Sequence, residues 1–383
     1  MTTWARLAAA AWFSAASAAE PAARVHPLEP LSAAEIARAA SILRADPRVP
    51  EDAFFPSIVL EEPSKENKGA PPRRAFAVVL DRPAGRTLEA WVDLSAGRLE
   101  RLEPRPGVQP ALMPEETSAA PELVRADSRW QAAMRLRGIS DFTRVGLDAW
   151  APGTIGVDAA GGPRLARVLS FYKGRSSNYY ARPVEGVIAL VDLAAGKVLR
   201  VEDSGAVALS PDDGAYDAAS VSVPKLAQKP LEVRQPAGPG FERRGHSVRW
   251  RGWAFRFALH PREGPVLFDV SLEDAGRPRK VLHRASVSEM VVPYGDPSPD
   301  WSWRAAFDAG ELGVGKLASP LERGSDVPDN ATLLDAVLAD EHGSAVTLER
   351  ALALYERDGG LLWRHYTLDP ESRESRRGRE LVL

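Results

Sequence analysis

Two stretches far apart in the chain are nearly identical, VDLSAGRL from Val92 and VDLAAGKV from Val191. A repeat of this kind marks one folding unit used twice, so the fold of the first copy constrains the second. Each copy reads as a strand that ends at an aspartate, Asp93 or Asp192, and turns at a glycine, Gly97 or Gly196. An aspartate carboxylate closes such turns and glycine supplies the left-handed backbone, so these residues are read as turn formers rather than chemistry.

The sequence around each copy fills in the unit. Ahead of the first, Ser32 and Glu35 have capping-box spacing, and Ile36, Ala39, Ala40 and Leu43 recur at helical intervals until Pro47 stops the helix. Alternating strands follow in AFAVVLDRPAGRTLEAWVDLSAGRLERLE, with Gly85 and Gly97 at the turns. The second unit follows a Pro-rich joint, Pro104 to Pro121. In it SRWQAAMRLRG predicts a helix with Trp130 and Met134 on one face and Gly138 just past its end, and RLARVLSFY and GVIALVDLAAGKVLRVED predict strands. Two α+β modules are expected, at residues 26–106 and 114–215.

Four prolines and two glycines between Val223 and Gly240 make residues 224–240 an extended linker. Beyond it the texture changes to aromatic-rich alternation, with Val248, Trp250, Phe255 and Phe257 at strand positions and turn signals such as EDAG and REG. Residues 241–383 predict the start of a large antiparallel β-sandwich, and the chain as a whole an α+β fold.

Composition excludes several function classes. With 44% hydrophobic and 26% charged residues the chain is globular, and a net charge of −3 with no basic stripe argues against nucleic acid as a partner. The first residues read as an export signal, 1–19: Arg6 gives the positive start, Leu7 to Ala16 a short apolar core, and Ala16-Ser17-Ala18 a cleavage site. That core is too short to span a bilayer and no later stretch approaches the length, so no membrane partner is expected and the mature protein should lie outside the cytoplasm. With no cysteine, thiol catalysis and thiolate metal sites are impossible.

The order of pieces is itself specific. HPLEPLSAAEI, the duplicated modules, the linker and RWRGWAFRFALHPREGPVLFDV, continued by EMVVPYGDP and AAFDAGELGVG, resemble the copper amine oxidases. That resemblance covers nearly the whole chain after the signal and implies cystatin-like modules, a helix on an antiparallel sheet, ahead of the sandwich that carries catalysis. It implies a periplasmic or secreted homodimer that uses oxygen to convert primary amines to aldehydes, releasing ammonia and hydrogen peroxide. Copper and topaquinone, the latter made from a tyrosine of the protein itself, are the implied cofactors.

By the same resemblance the aspartate of AAFDAGELG, Asp308, is the catalytic base, and the tyrosine of VVPYGDP, Tyr294, hydrogen-bonds the quinone. Ala306, two positions before the base, stands where many members carry a bulky channel residue, and Trp301 joins it as a channel position. The residue types suit that chemistry, since the carbon beside an amine nitrogen must lose a proton to a positioned base, and a carboxylate in a dry pocket has its pKa raised toward neutrality. Read without the resemblance, an Asp before Ala-Gly is a turn residue. Asp296 and Asp308 as a paired-carboxylate hydrolase is a weak competitor, because nothing fixes their separation.

Two parts of the family pattern are missing. The family tyrosine sits in a Thr-x-x-Asn-Tyr motif shortly after a segment like RRGRELVL, which here ends the chain, and the one Asn-Tyr pair, Asn178-Tyr179, lacks the threonine. Copper needs three histidines, two of them as His-x-His on one strand face, and none of His26, His246, His260, His283, His342 and His365 forms such a pair. The expectation is a C-terminally truncated oxidase with neither metal site nor cofactor precursor, inactive alone and dependent on a complementing chain. Its sandwich edges and apolar faces should be uncovered. The alternative reading is a non-catalytic secreted interaction protein built from the same modules.

Overall fold

The structure, a computed structural model, describes residues 25–66, 71–153, 156–157, 162–217, 219–221, 229, 232–304 and 309–383. The export signal, part of the linker, Ala306 and Asp308 lie outside the described residues.

Helix α1 (Ala33–Arg44) begins at the expected capping box: Glu35 N–H donates to Ser32 Oγ (3.3 Å) and Ser32 N–H to Glu35 Oε2 (2.8 Å). Its Ile36, Ala39, Ala40 and Leu43 are buried against one face of a four-stranded antiparallel meander, β1 (Phe54–Leu60), β2 (Arg74–Asp81), β3 (Arg86–Asp93) and β4 (Arg98–Pro104). Each fully buried Ile or Leu contributes about 1.5–3 kcal/mol. The first strand escapes the sequence reading because Pro56 interrupts it. The structure accommodates that proline at a register shift between Phe54 and Ser57.

The second module repeats the meander as β5 (Val145–Trp150), β6 (Leu165–Tyr172), β7 (Pro183–Asp192) and β8 (Lys197–Asp203). It carries two helices, α2 (Pro114–Ala126) and α3 (Ser128–Leu136). The Pro-rich joint expected at Pro104 to Pro121 is therefore in part a helix, a correction with a physical reason. Pro114 sits in the first turn, where a missing N–H costs nothing, and the Glu116 carboxylate accepts from Met113 N–H (2.8 Å). Glu116 and Arg164 then form a buried pair (Nη2 to Oε2 2.6 Å), and Arg164 also donates to Pro110 O and Ala111 O. This clamp joins the start of α2 to the start of β6.

The repeated octapeptide behaves the same way in both modules. Asp93 Oδ1 accepts from Ala96 N–H (2.8 Å) and Asp192 Oδ1 from Ala195 N–H (2.9 Å), while Gly97 and Gly196 have φ of 68° and 61°. Sequence repeat, turn geometry and sheet order agree.

The C-terminal part is two facing antiparallel sheets. One is β9 (Phe241–Arg244), β10 (Ser247–Trp250), β11 (Trp253–His260), β12 (Gly264–Asp274) and β13 (Arg277–Ala285); the other is β14 (Thr332–Ala339), β15 (Ala345–His365) and β16 (Glu374–Val382). Val248, Phe257 and Leu259 of the first pack on Leu334, Leu338, Leu352 and Leu354 of the second, the interdigitated core of a sandwich. Val281 and Leu282 on β13, and Leu361, Leu362 and Trp363 on β15, are exposed. The fold is α+β, with antiparallel sheets dominant.

Candidate active site

Tyr294 and Trp301 belong to one closed loop. Asp296 Oδ1 accepts from Ser298 N–H (2.8 Å), which turns the chain, and the bonds Trp301 N–H to Ser298 O (3.1 Å) and Arg304 N–H to Trp301 O (2.9 Å) continue the turn. Tyr294 N–H donates to Arg304 O (3.2 Å) and shuts the loop. Trp303 is its anchor: 3% exposed, it packs on Leu169, Phe171 and Ile188 of the second module, beside Trp150.

Arginine and aromatic rings fix what remains of the loop. The Arg304 guanidinium carbon lies 3.5 Å from the centroid of the Trp301 ring and 5.7 Å and 5.5 Å from those of Trp150 and Trp303, and Nε donates to Asp300 O (3.1 Å). Burial pushes the Arg304 pKa down, opposed by Glu185 and Asp300, and the rings and carboxylates stand in for lost water. Trp301 Nε1 donates to Glu185 Oε2 (3.3 Å). The Tyr294 ring, 46% exposed, lies 5.7 Å from Trp301 and 6.5 Å from Trp150, so the phenol rests on an aromatic shelf and is reachable from outside.

On the far side of residues 305–308 the chain is anchored again. The single-turn π-helix Ala309–Gly313 is followed by bonds from Val314 N–H to Arg262 O (2.9 Å) and Lys316 N–H to Pro261 O (3.0 Å), which fasten it to the β11–β12 turn. Asp308 thus stands in the sequence between two fixed points, Trp303 in the second module and Val314 on the sandwich.

Three family models match in the order the modules occur: the AGAO-like N2 domain at residues 32–102, the copper amine oxidase N3 domain at 115–220, and the copper amine oxidase enzyme domain at 242–383. A primary amine oxidase of Arthrobacter sp. (strain P1) is 39% identical over 94% of this chain and 56% of its own length. The chain belongs to the copper amine oxidase family. A primary amine oxidase of Klebsiella aerogenes is 34% identical over 94% of this chain and 48% of its own length. A crystal structure of a copper-containing benzylamine oxidase from Hansenula polymorpha superposes with a TM-score of 0.81 at 26% identity, covering 93% of this chain and 59% of that one. The chain spans about half the length of the curated relatives it matches.

The family's cofactors can be set against the side chains present. His260 Nδ1 accepts from Arg262 N–H (3.3 Å) and Glu263 N–H (3.2 Å), and burial holds its pKa below the ordinary value, so the imidazole is neutral and caps a turn. His26 caps likewise, accepting from Leu28 N–H (3.1 Å), and His246 Nδ1 lies 2.5 Å from Glu29. His283 faces Asp269 (3.5 Å), and His365 stacks on Trp363 with an interplanar angle of 6°. Among the described residues one group of three potential metal ligands meets, Glu115, Glu341 and His342. One imidazole with two carboxylates is not a three-histidine copper set, so the residues described do not fit that ion. Tyr179, of the Asn-Tyr pair, is a packing residue: its hydroxyl donates to Leu147 O (2.9 Å), and burial raises its pKa.

No helix among the described residues is long and apolar enough to cross a membrane. Arg304, Trp303, Trp150 and Glu185 were missed by the sequence reading as site-building residues. The signal was the run WSWR, whose two tryptophans beside an arginine ask for an aromatic box.

Proposed function

We propose that this chain supplies the base-bearing part of a copper- and topaquinone-dependent primary-amine oxidase, which turns a primary amine and oxygen into an aldehyde, ammonia and hydrogen peroxide. In this reading Asp308 is the general base that takes the proton from the carbon beside the amine nitrogen. Tyr294 donates a hydrogen bond to the quinone, and Ala306 and Trp301 border the amine channel. The observation that carries it is the loop clamped by Arg304 and Trp303: it presents Tyr294 on a rigid aromatic shelf and fixes the chain four residues before Asp308. Small Ala306 leaves the entrance wide, so bulky and short primary amines should react at similar kcat/KM. Export to the periplasm or medium, through the segment 1–19, and assembly as a homodimer or with a complementing chain complete the proposal.

In this reading the copper histidines and the quinone tyrosine are supplied by another segment or chain. The test is a chimera in which this chain replaces the matching part of the Arthrobacter sp. (strain P1) primary amine oxidase. A copper-loaded chimera that releases hydrogen peroxide from a primary amine supports the proposal, as does silence from the 383 residues alone with copper and amine. A folded, copper-loaded chimera without turnover favours the alternative, a non-catalytic secreted interaction protein.

A further inference from the structure

A cavity of about 340 Å³ opens between the first module and the β11–β12 turn, within the range that takes a small organic ligand. Its walls are largely apolar, with Val59, Phe76 and Val78 on one side and Val108, Pro261 and Leu312 on others. Lys316 is the lysine in its lining. The amine donates to Pro56 O (2.6 Å), and among the described residues it has no ion-pair partner.

We propose that Lys316 is a carbonyl-reactive amine and that this cavity binds a small, largely apolar aldehyde. Burial pushes the Lys316 pKa below the ordinary lysine value, only partly offset by Glu341. The charged and titratable groups around the cavity are otherwise engaged or peripheral. Glu89 is paired with Arg105 (2.6 Å), Arg262 with Glu289, and His260 caps its turn, while Glu311 completes the lining. A desolvated lysine facing an apolar pocket is the arrangement in which the neutral, nucleophilic amine is present near pH 7.

The step balances without an added oxidant. The Lys316 lone pair forms a C–N bond to the aldehyde carbon, the carbonyl oxygen leaves as water with the two amine hydrogens, and an imine remains. Water reverses it. Because an aldehyde is supplied directly in the test, the proposal stands or falls apart from the amine-oxidase reading.

The experiment exposes the full chain at pH 7 to benzaldehyde and cyanoborohydride, whose hydride makes the imine permanent as a benzylamine. Cleavage after glutamate isolates Leu312 to Glu322, in which Lys316 is the sole lysine. Lys316, desolvated against the apolar wall, should label several-fold faster than exposed Lys197 and Lys280. Raising the pH to 9 should speed labelling of Lys316 by a smaller factor than that of Lys197 and Lys280. K316R should remove the label from that peptide and leave the other two sites unchanged. The wild-type comparison needs no variant: labelling of Lys316 no faster than Lys197 and Lys280, or rising with pH in parallel with them, overturns the proposal and leaves the lysine a structural tie to Pro56.

Discussion

The guanidinium of Arg304 sits over the ring of Trp301, 3.5 Å from guanidinium carbon to ring centroid, while the Arg304 carbonyl accepts from Tyr294 N–H. One residue therefore fixes both candidate positions that the structure describes. Arg304→Ala removes a desolvated cation–π contact, worth about 2 kcal/mol, and frees the loop. Urea denaturation should register that loss, and Arg304→Lys, which keeps the charge without the planar fork, should recover only part of it.

Glu116 and Arg164 clamp the second module. Glu116→Ala leaves a buried guanidinium without its charge partner, at a cost of about 3–5 kcal/mol. Replacing both, Glu116→Leu with Arg164→Met, should cost less than Glu116→Ala alone, since the desolvation of two charges disappears with their attraction and the loss that remains is that of the bonds to Met113 N–H, Pro110 O and Ala111 O. Chemical denaturation of Glu116→Leu, Arg164→Met and the double gives the coupling directly.

A side chain at position 146 has no room. A Cβ at Gly146 would overlap Cζ of Tyr179, on the ring whose hydroxyl donates to Leu147 O. Gly146→Ala should cost about 1–3 kcal/mol by overpacking. In a Tyr179→Ala background the same change should cost markedly less, and equal costs in the two backgrounds would mean the ring is not the obstacle.

Stability should fall with mild acid, in part through His260. Its folded pKa lies below the ordinary 6.5, mainly through burial, with Glu263 opposing and Arg284 assisting. Protonation also destroys the acceptor for two backbone N–H groups. The unfolded chain then binds the proton more readily than the folded one, so this stabilisation is complete above pH 6.5 and is lost as pH falls below it toward the lower folded value. His26 is shifted in the same direction. Thermal unfolding at stepped pH should show His260→Asn with a shallower acid slope than the parent and His26→Asn removing a separate share.

Much of this fold could be read directly from the residues. Ser32 with Glu35 announced α1, and the paired Asp-to-Gly turns announced the duplication, because each is a local device whose chemistry needs no tertiary partner. The first strand of each module was opaque for the opposite reason: Pro56 and Gly146 are poor strand residues tolerated only because a bulge and a neighbouring ring receive them. Helix α2 hid behind Pro114 and Pro121, and its decisive partner, Arg164, is far along the chain. At the candidate site Tyr294 was named from the family pattern, whereas the Arg304 clamp depends on Trp150 and Glu185, which only the folded second module brings to the loop.

The most direct test of the central claim is Asp308→Asn in the copper-loaded chimera, with single-turnover amine oxidation measured beside titration of the quinone by a carbonyl-reactive hydrazine. The account predicts unchanged hydrazine titration and a rate of proton removal lowered by a factor of about 10²–10⁴. A variant that oxidises amine at the parent rate would contradict it.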